Sequence, residues 1–116
     1  MSNAKQIHES QFQNEVVTSS VPVVVDFYAT WCPPCQVLAP VLDRLAGDFE
    51  GRVKFVKVNV DEEPVLAAEY EIRGVPTLKL FRDGRVRDTI VGLLPPQSLV
   101  SKIESLAEGA PARAAG

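Results

Sequence analysis

The sequence contains few of the residues on which several common classes of site depend. Its 116 residues include two cysteines and one histidine, too few to complete a four-ligand zinc site from Cys and His within one chain. No apolar run approaches the ~20 residues that a membrane-spanning helix needs. The net charge of −3 argues against nucleic acid or an anionic membrane as a main partner. We therefore expect no metal, no cofactor, no nucleic-acid partner and no membrane partner. We also expect a monomer.

The first residues also lack the apolar segment of a secretory signal peptide. The stretch from Met1 to Asn14 is polar in character, so we expect a cytoplasmic protein. Ser2-Asn3-Ala4 is of the kind left behind by an expression vector, and such a remnant can stand where a targeting segment was removed.

The order of the predicted elements is typical of an α/β protein. Hydrophobic periodicity and turn signals predict helix, strand, helix, strand, helix, two antiparallel strands and a final helix. A capping box at Ser10 and Gln13 opens the first helix, and Asp83-Gly84 forms the hairpin turn. We expect a mixed central β-sheet flanked by helices, a single domain over 1–107 and a disordered tail over 108–116. The predicted ranges are 10–17, 21–28, 32–49, 52–60, 64–70, 77–81, 86–91 and 95–106.

The two cysteines stand two positions apart, between a predicted strand and a predicted helix. The partial positive charge of a helix N-terminus favours a thiolate, and the thiolate is the species that attacks disulfides. Cys32 and Cys35 therefore suggest a redox dithiol. The alternatives are a structural disulfide and half of an intermolecular metal site. A bridge closing so short a loop adds little stability by loop entropy, and His8, which we expect to be solvated, is distant in sequence.

A single carboxyl group, Asp26, interrupts an otherwise apolar strand. An exposed position at a strand end is the usual place for an aspartate. Its neighbours Val23, Val24, Val25 and Phe27 favour burial instead. A buried carboxyl has a raised pKa and can accept and donate a proton near neutral pH.

Several separated motifs resemble the thioredoxin family, and the resemblance covers roughly residues 5–106. The family implies a three-layer sandwich with a mixed central sheet and the activity of a general protein disulfide reductase. It also implies protein disulfides as substrates and recharging by thioredoxin reductase at the expense of NADPH. The motifs are Val25-Asp26-Phe27, Trp31-Cys32, Pro34-Cys35, Pro40, Lys57-Val58-Asn59-Val60-Asp61, Arg73-Gly74-Val75-Pro76-Thr77, Asp83-Gly84 and Gly92.

The resemblance implies a role for each residue of the dithiol site. Cys32, nearest the helix end, is the expected nucleophile, and Cys35 is the expected resolving thiol. Asp26 is expected to exchange a proton with Cys35, with Lys57 as its cationic partner, although Lys57 alone could simply face outward from its strand. Pro33 and Pro34 are expected to tune the redox properties, because they rigidify the loop and deprive the Cys32 thiolate of one backbone N–H donor.

A substrate-binding surface beside the dithiol is also implied. Val75-Pro76 resembles the family's cis-proline loop, whose backbone would pair with an extended substrate segment as an added strand. An apolar rim would surround this loop; Val91 is a candidate for it, although a core position in its strand is the alternative. The expected substrate-binding residues are Trp31, Val60, Gly74, Val75, Pro76, Gly92 and Leu93.

The sequence departs from the family pattern at four positions, and the departures leave other functions open. Pro33 stands where Gly is usual, Tyr28 where a second Trp is common, and Thr30 and Gln36 where charged residues are frequent. The primary prediction is a reductase acting through Cys32 and Cys35. One alternative is a more oxidising disulfide oxidase or isomerase, and another is a binding module whose dithiol only switches its affinity for a partner.

Overall fold

A five-stranded mixed sheet forms the centre of the molecule. The computed structural model describes the backbone of residues 4–115 and the side chains of residues 4–109. The strands are β1 Lys5–Gln6, β2 Val23–Tyr28, β3 Lys54–Asn59, β4 Thr77–Arg82 and β5 Arg85–Val91. They lie in the order β1-β3-β2-β4-β5. Strands β1, β3 and β2 are parallel, whereas β4 runs antiparallel to both β2 and β5.

Helices cover both faces of this sheet. They are α1 Glu9–Phe12, which continues into a π-helical turn over Gln13–Val17, then α2 Pro33–Asp48, α3 Pro64–Glu69 and α4 Pro96–Ala115. Side chains alternate between the faces of a strand, so β2 contributes Val24 to one layer of the core and Val23 and Val25 to the other. The predicted three-layer sandwich with a mixed central sheet is confirmed.

The two core layers belong to different pairs of helices. One layer joins the sheet to α2 and α4 through residues that include Leu38, Leu42, Leu45, Leu99, Ile103 and Leu106. The other joins it to the N-terminal helical segment and to α3 through residues that include Phe12, Val16, Leu66 and Tyr70. Because both faces of β2 are buried, this strand is apolar at every position except Asp26 and the half-buried Tyr28.

The N-terminus differs from the sequence prediction in two ways. The predicted capping box at Ser10 and Gln13 is wrong, because α1 begins after His8. The side-chain Oε1 of Gln11 accepts a hydrogen bond from the His8 backbone N–H at 2.9 Å, as the third residue of a capping box does. Strand β1 was not predicted, since two residues are too few to show an alternating pattern.

The hairpin between β4 and β5 turns where the sequence predicts it. Asp83 and Gly84 have φ angles of 55° and 78°, and a two-residue turn with both angles positive matches the right-handed twist of the strands. A Cβ on Gly84 would lie 2.8 Å from the Val17 carbonyl oxygen. Glycine is therefore required here both by the backbone conformation and by the close approach of another segment.

The last helix joins the sheet near residue 107. A guanidinium nitrogen of Arg82 donates to the carbonyl oxygens of Leu106 at 2.6 Å and Ala107 at 3.2 Å. Helical backbone continues to Ala115, while Gly116 and the side chains of 110–115 lie outside the described residues. The single domain over 1–107 and the disordered tail over 108–116 stay predictions. Among the described residues, no helix combines the length and apolar character that crossing a membrane requires.

Candidate active site

The two cysteines lie at the start of α2 and form a disulfide. Cys32 is the N-cap of the helix, with an extended backbone conformation, and Cys35 lies in its first turn. Their Cα atoms are 5.2 Å apart, within the usual span of a disulfide. Both residues are buried, at 2% and 5% exposure, so little of either side chain is open to solvent.

The first turn of α2 directs one N–H group at the Cys32 sulfur. The backbone N–H of Cys35 donates to Cys32 Sγ at 3.2 Å. Pro33 and Pro34 occupy the first two helical positions and have no N–H to give. A Cys32 thiolate here is therefore stabilised by a single N–H group of this turn together with the positive end of the helix.

A loop before β4 faces the dithiol. The Val75–Pro76 peptide bond is cis, as the family resemblance implies. The carbonyl oxygen of Val75 lies 3.6 Å from Cys32 Sγ. Thr77 Oγ1 donates to the Gly74 carbonyl at 2.6 Å, and the Gly92 N–H donates to the Pro76 carbonyl at 2.8 Å. These bonds fix the loop on both sides of Val75, whose own N–H and C=O take part in no backbone hydrogen bond within the described residues.

Asp26 is buried in β2, as its apolar neighbours predict. It is 3% exposed, and its Oδ1 has no hydrogen-bond partner among the described residues. Burial raises the pKa of Asp26 from 3.8 to about 7, and the nearby Lys57 ammonium partly opposes this rise. A carboxyl group with this pKa can take up and release a proton near neutral pH.

A cavity connects the buried carboxyl to the dithiol. It has a volume of about 200 Å³, and its lining includes Asp26, Lys57 and Cys35. Asp26 and Lys57 are register partners on the adjacent strands β2 and β3, which explains why both reach the same cavity. The Lys57 ammonium also lies 5.1 Å from the centre of the Tyr28 ring. Tyr28, Thr30 and Gln36, three of the departures from the family pattern, complete one wall.

Exposed apolar side chains lie on the segments next to the dithiol and the cis-proline loop. Trp31, directly before Cys32, is 66% exposed. Val91, the register partner of Thr77, and Leu93 are 70% and 47% exposed, so Val91 is not a core residue. Val60 and Val75 are half-buried and pack against the cluster that contains both cysteines. The Trp31 indole N–H donates to Asp61 Oδ2 at 2.8 Å, which gives Asp61 a place in the site that sequence reasoning did not assign. The one signal in the sequence was that Asp61 is the last residue of the Lys57-Val58-Asn59-Val60-Asp61 motif.

Comparison with known proteins agrees with this geometry. The family model for thioredoxin matches residues 3–105. The chain belongs to the thioredoxin family. It is 48% identical over 104 residues to Thioredoxin 1 of Nostoc sp., covering 90% of this chain and 97% of the relative. It is 45% identical over 98 residues to the chloroplastic M-type thioredoxin of Chlamydomonas reinhardtii, covering 84% of this chain and 70% of that protein.

Membership of the thioredoxin family establishes the general activity. With a Cys32–Cys35 pair at disulfide distance, this thioredoxin-family chain is a protein thiol–disulfide oxidoreductase that works by dithiol–disulfide exchange. Its partners in general are disulfide-containing substrates and a reductase. The oxidase or isomerase alternative and the binding-module alternative are not favoured. The roles of the individual site residues are a separate matter and stay predictions.

Proposed function

We propose that this thioredoxin-family chain reduces protein disulfides, with Cys32 as the nucleophile and Cys35 as the resolving thiol. The strongest support is the different surroundings of the two sulfurs. Cys32 Sγ faces the Val75 carbonyl at 3.6 Å, on the side of the exposed rim, and accepts the helix N–H of Cys35. Cys35 instead lines the cavity that contains the Asp26 carboxyl. This difference supports the assignment of Cys32 to the attack on the substrate and of Cys35 to the loss of a proton.

The reaction proceeds in two exchange steps. The Cys32 thiolate attacks one sulfur of the substrate disulfide, which forms a mixed disulfide and releases the other substrate sulfur as a thiolate. The Cys35 thiol then gives its proton to the Asp26 carboxylate and attacks Cys32 Sγ. The second substrate sulfur leaves, and the Cys32–Cys35 disulfide remains. The substrate disulfide gains two electrons, and the enzyme dithiol loses two.

Lys57 acts on this proton transfer through Asp26. Its positive charge partly opposes the effect of burial on the Asp26 pKa, so it keeps the carboxyl able to ionise near neutral pH. Because Lys57 borders the same cavity, it also compensates the negative charge that appears there when Asp26 loses its proton.

The substrate binds across the Val75–Pro76 loop. The N–H and C=O of Val75, which form no backbone hydrogen bond within the described residues, pair with an extended substrate segment as an added strand, while Trp31, Val60 and Leu93 supply apolar contact. Gly74 and Gly92 let the substrate backbone approach closely, since a Cβ at either position would meet open space in this structure.

Thioredoxin reductase, using electrons from NADPH, is the proposed donor that returns the disulfide to the dithiol. We also propose a cytoplasmic location and a monomeric state. The net charge of −3 supports the proposal that neither nucleic acid nor an anionic membrane is a partner.

Two cysteine variants test the assignment of roles. Cys32→Ser should abolish disulfide reduction, because no other thiol is placed to attack a substrate. Cys35→Ser should accumulate mixed disulfides with substrates, seen by electrophoresis under denaturing, non-reducing conditions. Full activity in either variant contradicts the mechanism. Mixed disulfides that accumulate in Cys32→Ser instead would reverse the two roles.

The reduction potential tests the direction of the reaction. Equilibration in dithiothreitol and glutathione buffers should give a value near about −270 mV for a reducing protein. A value between about −180 and −120 mV is typical of isomerases and oxidants, and would overturn the proposed direction while leaving the exchange chemistry intact.

A further inference from the structure

A histidine and two glutamates meet at one end of the sheet, outside the dithiol pair. His8 follows β1, and Glu62 and Glu63 follow β3. Because β1 and β3 are parallel neighbours, the segments that follow them emerge at the same end of the sheet, beyond the C-terminal ends of the two strands. The Ile7 N–H donates to the Lys57 carbonyl at 2.9 Å, which extends the pairing toward this end and holds the two segments together.

The ligand-forming atoms of these three residues converge. His8 Nδ1 and one carboxylate oxygen from each of Glu62 and Glu63 all lie within 4.8 Å of one another. His8 Nδ1 lies 2.7 Å from Glu63 Oε2. One imidazole nitrogen and two carboxylate oxygens, with water in the remaining position, form a ligand set that zinc accepts.

Groups outside the set orient both carboxylates. Gln6 Nε2 donates to Glu62 Oε1 at 3.2 Å, and the Glu9 backbone N–H donates to Glu63 Oε1 at 3.1 Å. Each carboxylate therefore has one oxygen held by a neighbour and a second oxygen that is not used by that bond. Hydrogen bonds of this kind fix ligand orientation in metal sites and strengthen metal binding.

The local charge favours a cation. Within the described part of the chain, neither Glu62 nor Glu63 forms an ion pair with a lysine or an arginine, and the one basic group paired with either is His8. Asp61 precedes the pair in sequence and is exposed. The two carboxylates thus lack the compensating positive charge that most of the other described ion-paired carboxylates receive from lysine or arginine.

We propose that His8, Glu62 and Glu63 bind a divalent transition-metal ion, with Zn²⁺ as the representative ligand. The ion takes the place of the proton between His8 Nδ1 and Glu63 Oε2, and Glu62 turns its free oxygen toward it. The counts of cysteine and histidine exclude a zinc site built from those two residue types alone, but they say nothing of carboxylate ligands. This site does not depend on the roles proposed for Cys32 and Cys35.

Calorimetric titration of Zn²⁺ into the oxidised full-length chain tests the proposal. The disulfide keeps Cys32 and Cys35 from binding zinc as thiolates. We expect one saturable site per chain, and we expect His8→Asn, Glu62→Gln and Glu63→Gln each to lower the association constant at least about tenfold. A wild-type chain that binds no zinc, or variants that bind it as tightly as the wild type, would overturn the proposal.

Two controls separate ligation from other effects. Glu9→Gln removes one negative charge beside the site without removing a ligand, and should bind zinc within about threefold of the wild type. An equal loss of affinity in Glu9→Gln and Glu62→Gln would show that zinc is attracted by the general negative charge, and would contradict a specific site.

The His8→Asn variant should keep the start of α1, because asparagine is a good N-cap residue. Zinc-dependent shifts of the His8 imidazole nitrogens in wild-type protein give a test that needs no variant, and their absence contradicts the proposal.

Discussion

The indole N–H of Trp31 is bonded to the Asp61 carboxylate at 2.8 Å, although the ring is 66% exposed. This bond joins the residue before Cys32 to the loop after β3. An exposed aromatic ring is usually free to change its rotamer, whereas this one is tied at its polar end. We therefore expect the bond to restrain the ring next to Cys32.

Replacing Asp61 should release the ring. In Asp61→Ala we expect faster local motion of Trp31 and a roughly threefold lower kcat/KM toward protein disulfides, with a loss of stability below about 1 kcal/mol because the bond is exposed. Trp31 is the single tryptophan, so its fluorescence anisotropy decay reports this motion directly. Asp61→Asn keeps a side-chain oxygen that can accept the hydrogen bond. Its Trp31 mobility and its kcat/KM should therefore lie between those of the wild type and those of Asp61→Ala. Unchanged anisotropy in Asp61→Ala would show that the bond does not restrain the ring.

The buried Asp26 should make stability fall as pH rises. Its pKa is raised from 3.8 to about 7 by burial, so the folded state binds more protons than the unfolded state between these values. Asp26 therefore destabilises the fold progressively from about pH 4 to about pH 7, by up to about 4 kcal/mol at about 1.4 kcal/mol per pKa unit. Asp26→Asn should match the wild type near pH 4 and be more stable above neutral pH.

Urea unfolding of both proteins across this pH range measures the difference. Asp48→Asn, which removes an exposed carboxylate from α2, controls for the loss of one negative charge. If the stability difference between Asp26→Asn and the wild type were the same at every pH, Asp26 would not carry a raised pKa.

The two prolines of the active-site turn should raise the pKa of the Cys32 thiol to different extents. An N-cap side chain accepts hydrogen bonds from the second and third helical N–H groups, which here belong to Pro34 and Cys35. Pro34→Ala adds the second of these groups, so it should lower the thiol pKa more than Pro33→Gly, which adds only the first helical N–H. Thiolate absorbance in the ultraviolet across a pH titration measures both. An unchanged titration in Pro33→Gly and Pro34→Ala alike would exclude redox tuning by missing donors.

Two glycines with positive φ angles should differ in their tolerance of a side chain. Gly84→Ala places a Cβ 2.8 Å from the Val17 carbonyl oxygen, so we expect a loss of about 2–4 kcal/mol from strain and contact together. Gly51 has a similar φ of 86° but open space around it, so Gly51→Ala should cost only about 1 kcal/mol. Thermal unfolding compares them. Equal losses of stability in Gly84→Ala and Gly51→Ala would mean that the Val17 backbone moves away from the new Cβ without cost.

Local patterns were sufficient for most of the fold. The apolar run that forms β2, the helical spacing of Leu38, Leu42 and Leu45, and the Asp83-Gly84 turn each predict an element near its observed position. The burial of Asp26 followed from its neighbours, because a strand with valine on both faces leaves no exposed side for a carboxylate. These features depend on residues close together in sequence.

Features that join distant segments could not be predicted in this way. Nothing in the two residues of β1 indicates a strand, and only the pairing with β3 makes them one. The contacts of Trp31 with Asp61 and of His8 with Glu63 span 30 and 55 residues, so no local pattern shows them. Val91 remained ambiguous for a related reason, since its exposure depends on which face of β5 is covered.

The Val75 N–H and C=O, which form no backbone hydrogen bond within the described residues, bear on how selective this protein can be. A peptide N–H and C=O are common to every polypeptide except at proline, so a loop that offers only these groups recognises an extended strand and not a particular side-chain sequence. In the proposed mode of binding, choice among substrates depends on whether a disulfide is accessible, on whether its flanking chain can become extended, and on apolar contact with Trp31, Val60 and Leu93. Substrate sequences can then diverge without a matching change in the Val75 loop itself.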